Sequence, residues 1–170
     1  MLVTSAELLT DAFGRVRETV HEAVDGLSAA QLGARLDDDA NSIAWLCWHL
    51  TRVQDDHLAG AFGVEQVWPA FADRFGLPFG LGATGYGHSS GQVALVQISS
   101  AELLASYHDA VHAQTVALVS SVTDADLPRV VDEGWDPPVT LGVRLVSVIS
   151  DCLQHAGQAT FVRGILLSAG

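Results

Sequence analysis

The chain has 170 residues, 49% of them apolar and only 16% charged, with a formal net charge of −12 and arginine at all eight lysine-or-arginine positions. That length fits one domain over residues 1–170, which can bury a core without disulfides or a structural metal. An acidic surface repels phosphate backbones and anionic lipid, and no apolar run reaches the roughly 18–20 residues of a membrane span, so neither nucleic acid nor membrane is an expected partner.

The N-terminal stretch carries Glu7 and Asp11 and lacks the basic-then-apolar order of a signal peptide, which points to the cytoplasm. A first long helix is predicted from Thr4 to about Asp25. Thr4 and Glu7 form a capping box, and Leu8, Leu9, Phe13, Val16, Val20 and Val24 recur at helical spacing. A short helix follows Ser28, with Gln31 at the box position. The second long helix begins near Asn41 or Ser42 and runs to about Ala61. A long connection, Phe62 to Ile98, is rich in glycine but also holds Trp68, Phe71, Phe75, Phe79 and Tyr86. A solvated linker has no use for such aromatics, so this segment is expected to pack on the helices and to serve function. The third long helix opens at Ser99 with Glu102 and ends near Val122, and Pro128 to Pro138 forms a second connection around Trp135. The fourth runs from Thr140 to about Leu167. The predicted fold is all-α: a four-helix bundle with a long crossover between its second and third long helices. Cys47 and Cys152 lie inside apolar helical patterns and read as buried, reduced thiols.

Two of these helices carry groups suited to chemistry. On the fourth, Leu141, Leu145, Ile149, Cys152 and Ala156 form an apolar face, bordered by a line of Arg144, Asp151, His155 and Gln158. Asp151 and His155 are four apart and project one turn from each other, where a carboxylate and an imidazole can bind one divalent ion. On the second, His49 lies at the edge of the arc of Ile43, Leu46, Leu50 and Val53, so it points inward and needs a hydrogen-bond partner or a metal. If the two helices are neighbours, His49 completes a His, Asp, His set, and three protein ligands with open positions mark a catalytic metal. Spacing alone leaves the plainer readings open: a satisfied core histidine, and an ordinary Asp–His surface pair. His108 and His112 lie away from the apolar face of the third helix and are expected to be solvated, as is His21. His57 is a further possible ligand, and His88 falls in the glycine-rich connection. No Walker loop, dinucleotide fingerprint, nucleophile elbow, Cys-x-x-Cys or paired Glu-x-x-His motif is present.

The segment Asn41-Ser-Ile-Ala-Trp-Leu-Cys-Trp-His49 and the segment Asp151-Cys-Leu-Gln-His155-Ala-Gly-Gln158 resemble the two metal motifs of the DinB-like superfamily. That superfamily includes mycothiol and bacillithiol S-transferase-like proteins and mycothiol-dependent maleylpyruvate isomerase. The resemblance extends over nearly the whole chain and implies that His49, Asp151 and His155 hold one divalent ion. Related proteins carry His, or Glu in the isomerase-like branch, where Asp151 stands here with a shorter reach. Zinc or nickel is the first expectation, although His and Asp ligands also suit iron or manganese. The resemblance further implies a low-molecular-weight thiol such as mycothiol as cofactor and its transfer to a small electrophile, or an isomerisation that it assists. Arg52 and Arg144 are candidates for holding carboxylates of the thiol or substrate. The apolar composition and the resemblance together suggest a homodimer. The alternative is a non-catalytic metal-binding or stress-related bundle, whose metal would be sealed by Trp45, Trp48 or Trp135.

Overall fold

Thr4 starts the first helix with the reciprocal pair its sequence predicts. Glu7 N donates to Thr4 Oγ1 at 3.2 Å, and Thr4 N donates to Glu7 Oε2 at 2.9 Å, an N-cap worth about 1 kcal/mol. In this computed structural model, which describes residues 3–168, helix α1 is Ser5–Val24 and α2, capped in the same way by Ser28 and Gln31, is Ala29–Gly33. Helix α3 is Ile43–Phe62, capped by Ser42, whose side chain accepts from Trp45 N at 3.1 Å. It stops at Gly63, where a φ of 68° suits a residue without a Cβ.

The connection that follows is shorter in irregular backbone than its sequence suggests. It contains a 3₁₀ turn at Trp68–Ala70 and two short helices, α4 at Ala72–Phe75 and α5 at Ser90–Ala94. Its start is tied to α3 by Asp55, a buried carboxylate that accepts from Val67 N at 2.9 Å, Trp68 N at 2.8 Å and Tyr107 Oη at 2.9 Å. Trp68 and Phe75 are buried in the core, as the aromatic content predicts, and each such burial is worth about 1.5–3 kcal/mol. Tyr86 departs from that expectation and is 91% exposed.

Helix α6 is Ala101–Val119; its cap is Ser100, one residue later than expected, with Leu103 N on its hydroxyl at 3.3 Å. Pro128 to Pro138 is not wholly irregular: strands β1, Val130–Asp132, and β2, Val139–Thr140, pair antiparallel. This small hairpin places Asp132 beside the next helix, α7, Leu141–Ser168.

Helix α3 packs against α6 and α7, and α1 packs against the same two, so α1 and α3 lie diagonally across an all-α four-helix bundle. The core has an aromatic half, with Trp45, Trp48, Trp68 and Tyr107, and an aliphatic half, with Val16, Leu50, Leu141 and Leu145. Among the described residues no helix is long and apolar enough to cross a membrane.

Candidate metal centre

The adjacency of α3 and α7 brings together the three residues that the sequence singled out. One ligand atom from each of His49, Asp151 and His155 lies within 4.8 Å of the others. His49 is buried at 5% exposure, while Asp151 and His155 are half-buried. Asp151 Oδ1 is 3.6 Å from His155 Nε2, and the rings of His49 and His155 meet edge-on with centroids 4.9 Å apart.

The surrounding hydrogen bonds decide which nitrogens remain free. Thr84 O can only accept, so His49 Nδ1 carries the proton and donates at 2.6 Å. His155 Nδ1 is held in the same way at 2.9 Å by Gln158 Oε1. Both rings therefore keep the Nε2 lone pair for an ion, and the groups on their far nitrogens fix ring orientation. Trp45 stacks on His49 with centroids 4.5 Å apart at 17°, and its edge meets His155 at 6.2 Å. The Thr84 carbonyl reaches His49 because Gly85 follows it: φ is 92°, and a Cβ there would lie 2.8 Å from His49 Nδ1 and 3.0 Å from Trp48. Asp151 Oδ2 is buried with no hydrogen-bond partner. An orphaned carboxylate oxygen beside two imidazole lone pairs is a donor set that fits a divalent cation.

The electrostatics agree with that donor set. Burial pushes His49 below the ordinary histidine range, against the upward pull of the Thr84 carbonyl. His155 moves upward, because the Asp151 carboxylate 3.6 Å from its Nε2 outweighs burial and Gln158 adds to it. Burial raises Asp151, yet the neighbouring His155, with His49 and His57, outweighs it and holds the carboxyl below its usual range. The carboxylate is thus ionised at neutral pH and the His49 ring is neutral.

A cavity of about 590 Å³ opens beside two of the three ligands, His49 and Asp151. Its walls include Val53, Val143 and Val148, with His57 and Arg144 on one side and Tyr86 and Trp135 at the mouth. Trp135 is 67% exposed and does not close it. Neither do Trp45 and Trp48, which are in the core.

Other sequence expectations need correction. Arg52, expected to hold a substrate carboxylate, is fully buried and does not line the cavity. Its guanidinium meets Asp55 at 3.3 Å, Tyr107 Oη at 3.3 Å and Ala83 O at 3.1 Å, so it fixes the loop one residue before Thr84. Arg144 lines the cavity. His108, expected in solvent, is fully buried and bonds Thr51 Oγ1 at 3.0 Å, and His112 is half-buried. Both α1 and α3 pack on α6, so its buried arc is wider than its apolar one. His21 Nε2 hydrogen-bonds Asp109 Oδ1 at 2.8 Å. His88 accepts from Trp45 Nε1 at 3.3 Å and lies between Trp48 and Phe79. Both cysteines are free and buried as read from sequence, and burial pushes the Cys47 thiol up to about 12. Sequence reasoning missed Thr84, Gly85 and Asp132; for the first two, the run Gly82-Ala-Thr-Gly85-Tyr-Gly87 was the available signal.

The sequence model of a family described as Mycothiol-S-transferase matches residues 8–167. No curated protein matches the chain. Among solved structures, a conserved protein from Enterococcus faecalis superposes with a TM-score of 0.90 at 26% identity, over 98% of this chain and 99% of that one.

Proposed function

The chain belongs to the mycothiol-S-transferase family, and from that premise we propose that it joins a low-molecular-weight thiol, such as mycothiol, to a small electrophile at a divalent-metal centre held by His49, Asp151 and His155. The carrying observation is the pairing of a three-residue donor set with a cavity that reaches solvent beside it. A structural site is normally closed by four protein ligands, whereas a site that acts on substrate keeps a position open.

When bound, the ion supplies Lewis acidity that lowers the pKa of a thiol brought to it. The residues around it prepare that role. Thr84 and Gln158 hold both imidazoles in the Nδ1–H tautomer, and Asp151 offsets one of the two positive charges of the cation. Trp45 covers the His49 ring and keeps water from its inner face. The chain's own cysteines are poor nucleophiles: Cys47 and Cys152 are buried, and burial raises both thiols. The nucleophilic sulfur is therefore external.

Zinc or nickel remains the first choice of ion. A homodimer is supported by a row of exposed apolar side chains on α7, including Val146, Phe161 and Ile165. The test of function is thiol consumption with a panel of electrophiles, run on metal-loaded and chelator-treated protein. Turnover confined to the loaded protein supports the proposal; equal rates in both forms reject it.

A further inference from the structure

One wall of the cavity carries an ordered chain of three side chains. Arg144 Nη2 donates to Asp132 Oδ2 at 2.6 Å, and Arg144 Nη1 lies 2.7 Å from His57 Nδ1. Arginine has donors only, so His57 Nδ1 must accept and the ring proton must be on Nε2. Among the described residues Nε2 has no hydrogen-bond partner, and the ring lines the cavity together with His49 and Asp151. Burial, followed by the charge of Arg144, pushes His57 below the ordinary histidine range, outweighing the opposing carboxylates Asp56, Asp151 and Asp132. His57 therefore presents a neutral N–H donor.

The charges in the same wall say what that donor meets. Arg144 is matched by Asp132 and is only 14% exposed, so it offers the cavity no unpaired cation. Asp56 adds a negative charge, 4.0 Å from His57 Nδ1. Most of the remaining wall is apolar, from Val53, Val139, Val143, Val148 and Trp135. The free N–H of His57 in this largely apolar wall matches a single acceptor oxygen on a substrate.

We propose, building on the function above, that this cavity seats a carbonyl-activated electrophile with its oxygen on His57 Nε2–H, and that Arg144 and Asp132 are positioning residues that fix this donor. In the conjugate addition this arrangement serves, the thiol gives its proton to solvent and its sulfur forms a bond to the β-carbon. The carbon–carbon π pair shifts toward the carbonyl oxygen, where the His57 N–H meets the developing charge. Solvent then returns one proton to the α-carbon, so the product is thiol plus electrophile with nothing oxidised or reduced.

The test uses metal-loaded protein without thiol, and two unreactive uncharged probes of similar size, cyclohexanone and methylenecyclohexane, which lacks the oxygen. Long-range 1H–15N correlation of the His57 ring should show the Nε2–H tautomer at pH 8. Cyclohexanone should shift His57 Nε2 and the Trp135 indole and bind at least about tenfold more tightly than methylenecyclohexane. Arg144→Met should release the tautomer and weaken the ketone, with metal content unchanged. His57→Phe should weaken the ketone about tenfold, the loss of one hydrogen bond. An Nδ1–H tautomer in the parent protein, or equal affinity for the two probes, would overturn the proposal. Metal content, measured separately on each sample, reports on the His49, Asp151 and His155 assignment, so failure of one claim is distinguishable from failure of the other.

Discussion

The Thr84 carbonyl holds His49 Nδ1 at 2.6 Å, and this one contact determines which nitrogen of the ring faces Asp151 and His155. It joins the glycine-rich crossover to the metal centre. The loop is thus part of the site and not a cover laid over it.

Gly85 permits that contact, since any Cβ would fall 2.8 Å from His49 Nδ1 on a backbone with φ of 92°. Gly85→Ala should push the loop away and free the His49 ring to rotate. Metal affinity should fall about 10- to 100-fold, the usual effect of losing the partner of a ligating histidine. Circular dichroism should show unchanged helix content, because the long helices do not depend on residue 85. Isothermal titration with zinc measures the first effect and far-ultraviolet spectra check the second.

Acid should weaken metal binding in two stages. His155 is raised by Asp151, so it takes up a proton first as pH falls, and His49, lowered by burial, follows later. Protons and metal compete for the same lone pairs. Affinity should therefore fall by about tenfold per pH unit once His155 is protonated, and more steeply below the His49 range. Competition titrations between pH 8 and 5 measure the slope; an affinity flat across that range would remove imidazole from the ligand set.

The buried His108 gives a separate pH effect, on folding. Burial first, and then the charge of His112, lowers its pKa to about 3 in the folded chain, against about 6.5 in an unfolded one. Between those values the unfolded state binds the extra proton. Stability is fully present above pH 6.5 and is lost as pH falls toward 3, at about 1.4 kcal/mol per unit from this group. In urea melts, His108→Gln should show a shallower decline from pH 6.5 to 5 than the parent.

Much of this arrangement was legible in the sequence, and the exceptions have physical causes. The capping box of Thr4 and Glu7, the cap of Ser42 and the spacing of Asp151 to His155 are local signals, and each is found as read. His108 was misread because an apolar wheel cannot register a helix flanked by two others, where polar edge positions are buried as well. Arg52 was misread because its partners Asp55, Tyr107 and Ala83 span three elements, a relation that no spacing rule contains. The same is true of Asp132, which meets Arg144 only once the hairpin folds against α7, and of His57, which meets it only once α3 packs against α7. The crossover hid α5 because its box, Ser89 with Gln92, lies among glycines.

The carboxylate position separates ligand from neighbour. Asp151→Glu should keep metal, since the half-buried site leaves room at its cavity side and the charge is retained. Asp151→Asn removes the charge that offsets desolvation of the ion and should weaken binding by more than the roughly 10- to 100-fold typical of outer partners. Equal affinity in the Asn variant would make Asp151 a supporting residue, with His57 the next ligand to examine.

The most direct measurement is elemental analysis of the purified chain after zinc loading and desalting, on the parent, His155→Ala and His112→Ala. The parent and His112→Ala should carry about one equivalent of metal, and His155→Ala should carry almost none. A full equivalent in His155→Ala would contradict the metal centre proposed at His49, Asp151 and His155.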